Sequence, residues 1–291
     1  MVDADRESSR HSRRGWLAPA LVFAFVAATI TAGCSSGGNE PSVSTSGATA
    51  CSATTVAGKL LPSVVTILVK NGSDAVSGSG EVIRSDGQIL TNSHVIALAA
   101  SGGTVNVLFS DGRHAPATIT GRDAQTDIGV VKVTVDHSLP PIPFGTSSSV
   151  QVGEPVVALG APLGLTSTVT SGIVSAVGRT VTMAGENGQS AVLLSAVQTD
   201  AAINPGNSGG ALADCSGQMI GVPSAAASIS NDPAAASTGS IGLGFAIPVD
   251  LAKAVSDELI LHGSVTHSYF GMQVVLIPAS SQTRPRWPCS P

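Results

Sequence analysis

Gln198-Thr-Asp-Ala-Ala-Ile-Asn-Pro-Gly-Asn-Ser-Gly-Gly210 is the stretch on which the reading of this 291-residue chain turns. Ser208 stands among Gly206, Gly209 and Gly210, where the missing Cβ lets the backbone take a tight turn that other residues would hinder. Such a turn pushes one hydroxyl outward and aims successive backbone N–H groups at a single point. Donors fixed in that way stabilise the oxyanion of a tetrahedral intermediate by several kcal/mol. A serine hydroxyl alone is a weak nucleophile. The reading therefore requires a histidine to take its proton and an acid to orient that histidine.

Both lie upstream. His94, in Leu90-Thr-Asn-Ser-His-Val-Ile96, follows an apolar, strand-like run over Gln88–Thr91 and so stands at a strand end. Of the other histidines, His11 lies in a leader, His114 follows the turn Ser110-Asp-Gly-Arg113, and His262 falls in the last turn of a helix. None of these has a partner motif. Asp127, in Thr126-Asp-Ile-Gly-Val-Val-Lys132, opens an apolar run. An acid at the mouth of a buried strand needs a partner, and a histidine N–H supplies one. Asp123, in the polar stretch Gly121-Arg-Asp-Ala-Gln125, reads as a turn residue.

In the order His94, Asp127, Ser208 these motifs resemble the HtrA (DegP-like) branch of the trypsin-fold serine proteases. Thr170-Ser-Gly-Ile-Val-Ser-Ala-Val-Gly-Arg179 and Ile241-Gly-Leu-Gly-Phe-Ala-Ile-Pro248 match the family as well, so that the resemblance runs from about Val56 to Leu261. Gly129 departs from it, standing where the family usually has alanine. The resemblance implies an all-β fold of two six-stranded antiparallel Greek-key barrels and peptide-bond hydrolysis without a cofactor. Ser208 would attack, His94 would carry the proton and Asp127 would orient His94. The N–H groups of Gly206 and Ser208, with Asn207 shaping the loop, would form the oxyanion hole. The specificity pocket would have Ala202 near its base and Leu243 and Phe245 on its wall. With no aspartate at position 202, small or medium apolar side chains of unfolded polypeptides are the expected substrates, rather than arginine or lysine. Homotrimers are usual in the family. The rival reading is a proteolytically silent chaperone or scaffold on the same fold.

Composition agrees with a β-rich globular domain. The chain is 43% apolar, 11% charged and 3% aromatic. Turn signals such as Ser85-Asp-Gly87 and Cys215-Ser-Gly217 separate strand-like runs at Val64–Val69, Val105–Phe109, Ile128–Val133, Pro155–Leu159, Val192–Gln198 and Met219–Val222. Many short strands with turns between them predict a sandwich or barrel. The proline-rich run Asp136–Pro143 reads as a linker, dividing a protease domain over 56–263 into barrels at about 56–140 and 150–247. His94 and Asp127 fall in the first half and Ser208 in the second, which predicts a site in the cleft between them. After Pro248 a helix is expected, capped by Asp250, with Leu251, Val255 and Leu259 on one face and Gly263 at its end.

The ends of the chain read differently. Arg6, Arg10, Arg13 and Arg14 precede an apolar run that ends at Thr31-Ala-Gly-Cys34, so residues 1–33 read as a signal peptide. Two outcomes stay open: lipidation of Cys34 and anchoring on the outer face of the membrane, or an uncleaved membrane anchor. A flexible Ser/Thr/Gly tether is expected over 34–55. Either outcome places the domain outside the cytoplasm, where Cys51 and Cys215 are expected to form a disulfide. A net charge of −5 without a basic run argues against a nucleic-acid partner, and no cysteine–histidine spacing suggests a metal. Residues 264–291 read as a truncated PDZ start, since Tyr269-Phe-Gly-Met-Gln-Val-Val275 resembles the opening strand of such a domain, followed by an irregular tail.

Overall fold

The computed structural model describes residues 51–161, 168–184, 190–226 and 240–268. The leader with Cys34, most of the tether and the run Tyr269–Val275 lie outside the described residues. Twelve strands form two closed antiparallel barrels, as the resemblance implies. The first comprises β1 (Val64–Asn71), β2 (Asp74–Arg84), β3 (Gln88–Thr91), β4 (Thr104–Leu108), β5 (His114–Asp123) and β6 (Ile128–Val133). The second comprises β7 (Pro155–Gly160), β8 (Thr168–Ala184), β9 (Ser190–Thr199), β10 (Ala211–Ala213), β11 (Met219–Ala226) and β12 (Gly244–Pro248). Around the first barrel the order is β1-β2-β3-β6-β5-β4, and the second repeats it as β7-β8-β9-β12-β11-β10.

Alternation along the strands sorts the apolar side chains into three clusters. Ile67, Val82, Ile89, Val107 and Val131 fill the first barrel, and Val156, Val174, Val197, Leu212 and Ile220 fill the second. The third lies between the barrels, where Val64, Ile83, Leu90, Val130, Leu159, Met219 and Ile247 pack together. Strand β2 shows why both faces are buried. Val82 faces the first barrel's interior while Ile83 faces the seam, because successive side chains point to opposite sides. Ile96 packs where a Cβ at Gly129 would stand, so the departure at that position is filled by a neighbour.

Three helices complete the described fold: α1 (Ala53–Leu60), α2 (Ser93–Ala100) and α3 (Val249–His262). The expected tether therefore ends earlier than residue 55. Ser52 caps α1 by accepting the Thr55 N–H at 3.2 Å, and Val56 and Leu60 enter the seam cluster. Burying a leucine such as Leu60 stabilises by roughly 1.5–3 kcal/mol. Helix α3 packs on β5, β6, β11 and β12 and so touches both barrels. It ends at Gly263, as expected, but Asp250 does not cap it. Pro248 holds the N-cap position without a side-chain bond. Asp250 instead accepts the Ser148 N–H at 3.0 Å while its own N–H donates to Ser147 Oγ at 3.1 Å, because the 147–149 turn offers it unpaired partners. The linker between barrels is pinned: Leu139 and Ile142 donate backbone N–H groups to Ser85 and Val82 carbonyls.

Candidate active site

The acid and base candidates come from adjoining ends of the first barrel. β3 ends at Thr91 and the chain turns directly into α2, so His94 stands in the first turn of a helix. That turn has unpaired N–H groups. Asn92, at the N-cap position, does not satisfy them; its Nδ2 donates to the Asp127 carbonyl at 2.9 Å. Asp127 supplies the cap from across the fold. Its Oδ1 accepts the His94 backbone N–H at 3.0 Å, and its carbonyl accepts the Ser93 N–H at 3.2 Å. The same carboxylate straddles the imidazole, with Oδ1 and Oδ2 at 3.0 and 2.9 Å from His94 Nδ1. A carboxylate on Nδ1 favours the tautomer with its proton there, which leaves Nε2 as the proton-accepting nitrogen. Asp127 sits at φ 57°, a left-handed conformation that aspartate tolerates better than most residues. The two hydrogen bonds on its carbonyl hold it there. Its side chain is 7% exposed, against 41% for His94.

Ser208 sits in the second barrel's β9–β10 connection, in the loop quoted at the outset. Gly206 has φ 96° and Gly209 φ 79°, and a Cβ at Gly209 would fall 2.3 Å from the Ser79 carbonyl oxygen. Glycine at these positions is required by geometry. Asn207 N–H donates to Asn204, Gly209 N–H to Pro223 and Gly210 N–H to Asn207. The N–H groups of Gly206 and Ser208, the two expected donors, have no acceptor among the described residues. The first half of the stretch is structural. Thr199 Oγ1 donates to the Ile173 carbonyl and Asp200 Oδ1 accepts the Ile173 N–H, tying the loop to β8.

Two serines outside the motifs join the barrels at this point. Ser79, fully buried in β2, donates from Oγ to the Gly206 carbonyl at 2.6 Å and accepts the Ala161 N–H at 2.8 Å. Its own N–H donates to the Ser208 carbonyl at 2.8 Å. One residue of the first barrel thus fixes two peptide planes of the Ser208 loop. Ser224 in β11 donates from Oγ to Asp127 Oδ2 at 2.5 Å, while its carbonyl accepts from Ser208 Oγ at 3.4 Å. Ser224 therefore links the acid and nucleophile candidates. Val95 of α2 and the Ser208 carbonyl both crowd Gly78, so the helix that carries His94 and the Ser208 loop meet over β2. Sequence reasoning missed both serines, since neither stands in a local pattern: Ser79 Oγ donates to a carbonyl 127 residues away and Ser224 Oγ to a carboxylate 97 residues away.

The remaining expectations are placed as follows. The Ala202 carbonyl accepts from Thr170 Oγ1 at 3.0 Å and Asn207 Nδ2 at 3.3 Å. Leu243 is exposed at 38%, and Phe245 is half-buried on the seam cluster, in β12 beside β9. Ile203 lies against Gly244. Cys51 and Cys215 are bonded, with Cα atoms 5.0 Å apart, and Lys59 Nζ donates to the Ser216 carbonyl at 2.7 Å. Helix α1 is thereby stapled to the turn after β10. Among the described residues no cluster of His, Cys, Asp and Glu is placed to hold a metal, and no helix is long and apolar enough to cross a membrane.

Two closed barrels with a serine and a histidine–aspartate pair at their junction define a trypsin-like serine peptidase architecture. The trypsin-like peptidase domain model matches residues 78–222. Serine protease PepD of Mycobacterium tuberculosis is 50% identical over 225 residues, covering 75% of this chain and 48% of that protein. A probable periplasmic serine endoprotease, DegP-like, of Chlamydia trachomatis is 42% identical over 209 residues, 72% of this chain and 38% of that one. Among solved structures, the HtrA-type protease AlgW with decapeptide matches at TM-score 0.65 and 32% identity, covering 79% of this chain and 74% of that one. The serine endoprotease from Yersinia pestis matches at TM-score 0.62 and 34% identity, covering 76% and 71%. This chain belongs to the HtrA-type serine proteases. It spans about half the length, or less, of the curated relatives it matches.

Proposed function

We propose that this chain is a serine endopeptidase that hydrolyses unfolded polypeptides outside the cytoplasm. The observation that carries the reading is the His94–Asp127 pair, closed onto Ser208 through Ser224 at the junction of the barrels. Ser208 Oγ attacks the peptide carbonyl as His94 Nε2 takes its proton, and the proton passes to the leaving amine as the acyl-enzyme forms. Water then attacks the ester with His94 again as base, and Ser208 recovers its proton on release of the acid. Asp127 keeps the imidazole in the Nδ1–H tautomer and stabilises its cationic form. The N–H groups of Gly206 and Ser208 receive the oxyanion, with Asn207 shaping the loop. Ala202, Leu243 and Phe245 border the primary pocket, and alanine rather than an acid at position 202 favours small or medium apolar side chains.

The surroundings belong to the same reading. The leader and Cys34 fit export and a lipid anchor on the outer face of the membrane, and relatives with periplasmic in their names support an envelope location. A homotrimer would present several such sites to one unfolded chain. The test is labelling of the purified full chain by a fluorophosphonate, together with casein cleavage. Label on Ser208 and cleavage that falls to background in Ser208→Ala are expected. A parent chain that neither labels nor cleaves would leave the silent scaffold as the better reading.

A further inference from the structure

Asp123 closes β5, paired in register with Ile128 of β6, so residues 124–127 form a four-residue hairpin loop ending at the candidate acid. The Asp123 side chain is only 10% exposed. Its Oδ2 accepts the Thr126 N–H at 3.1 Å and the Thr126 hydroxyl at 2.5 Å, and Oδ1 lies 3.4 Å from the Gln125 N–H. One carboxylate thus sets the course of the loop immediately before Asp127. A further donor arrives from far along the chain: His267 Nε2, in the segment leaving α3, lies 3.0 Å from Asp123 Oδ1. That segment runs closely beside β5. A Cβ at Gly121 would stand 2.7 Å from the Gly263 carbonyl oxygen, and Val265 packs on the seam cluster. Burial alone would raise the Asp123 carboxyl; the hydrogen bonds from Thr126 and His267 more than offset it and hold the group below the usual carboxylate range.

We propose that Asp123 is a positioning residue for Asp127, and that His267 ties the segment beyond α3 to it. This rests on Asp127 being the acid of the peptidase site. The coupling is mechanical. Asp127 holds a left-handed backbone and must present both oxygens to His94, and a misplacement of about 1 Å in a catalytic group costs on the order of 100-fold in rate. A change in the path of residues 264–268 would be transmitted through His267 and Asp123 to the His94–Asp127 pair.

The experiment uses the full chain and three substitutions. His267→Leu removes the donor, His267→Gln retains one at a similar reach, and Asp123→Ala removes the acceptor. Against a short chromogenic substrate, His267→Leu should lower kcat by roughly 3- to 10-fold and Asp123→Ala by roughly 10- to 100-fold, both with KM little changed, while His267→Gln stays near the parent. The strongly deshielded Nδ1–H proton of His94 should weaken or shift in the same order by NMR. His267→Leu with the parent's kcat and an unmoved Nδ1–H signal, whatever its melting temperature, would show the pair to be structural only. That signal needs no turnover. A parent chain inert to every substrate would defeat the peptidase reading while leaving the coupling of His267 to His94 measurable.

Discussion

Among the buried carboxylates of the first barrel, the fold treats Asp127 and Glu81 oppositely. Asp127 has its oxygens on His94 Nδ1, the His94 N–H and Ser224 Oγ. Glu81 is wholly buried in β2, and neither of its oxygens has a partner among the described residues. It pairs in register with Val64 and Leu90 and shares its strand face with Ser79 and Ile83. Burial pushes its carboxyl well above the ordinary glutamate range, which favours the neutral form. The contrast comes from where each residue sits on the backbone. In mid-strand the neighbouring N–H groups are already used by the ladder, so a carboxylate depends on side chains, and here the flanking ones are aliphatic. At a hairpin loop facing a helix start, unpaired N–H donors are at hand. Burial by itself does not mark a working acid; the donors around it do.

The largest test of this contrast is Asp127→Asn. The amide keeps the shape but favours the wrong imidazole tautomer, and kcat should drop on the order of 10⁴-fold with KM little altered, measured on a short chromogenic substrate. A loss under tenfold would place Asp127 with Glu81 as a buried acid of no catalytic consequence.

Ser79 sharpens the comparison, because it shares a strand face with Glu81 yet is fully bonded. Ser79→Ala leaves the Gly206 carbonyl and the Ala161 N–H without their buried partner, each worth about 1–3 kcal/mol. Loss of about 10- to 100-fold in kcat, and a matching loss of affinity for a peptide boronate that occupies the oxyanion hole, is the expected result. Boronate affinity equal to the parent's would mean that the loop holds its shape without the clamp.

The smallest expected effect is on stability alone. Glu81→Leu removes an unpaired buried carboxyl and should stabilise by about 1–3 kcal/mol near neutral pH, read as a rise in Tm of about 2–4 °C per kcal/mol. The direction of the pH dependence follows from linkage. The folded-state pKa of Glu81 is raised, so the unfolded chain ionises first as pH rises above about 4.3, and the parent loses stability from there upward. The variant lacks that loss. Its advantage should therefore be greatest at pH 7–8 and least below pH 4, with activity unchanged; an advantage independent of pH would show that Glu81 is already ionised and solvated in the fold.

What could be read before the structure was the part that leaves a local imprint. Gly206 and Gly209 are demanded by positive φ, and Gly209 also by the close approach of β2, so the Ser208 loop is written in consecutive residues. Alternating apolar runs with turn signals predict many short strands, and the resemblance specifies two six-stranded barrels, which the fold contains. The end of α3 at Gly263 was legible for the same local reason. The helical start at Ala53 was not, because the packing of Val56 and Leu60 into the seam and the bond to Cys215 depend on parts of the chain far away. Asp250 has the composition of a cap, yet the Ser147–Ser149 turn claims it.

By itself the sequence determined which residues are chemically equipped, their order, and the class of fold that holds them. Only the tertiary structure decided that Ser79 grips the Ser208 loop, that Ser224 bridges Asp127 and Ser208, that His267 reaches Asp123, and that Glu81 finds no partner among the described residues. A period-two pattern assigns a side chain to a face of its strand but not to the residue it meets there. That meeting depends on barrel closure and register, which are set jointly by all twelve strands and the helices packed across them.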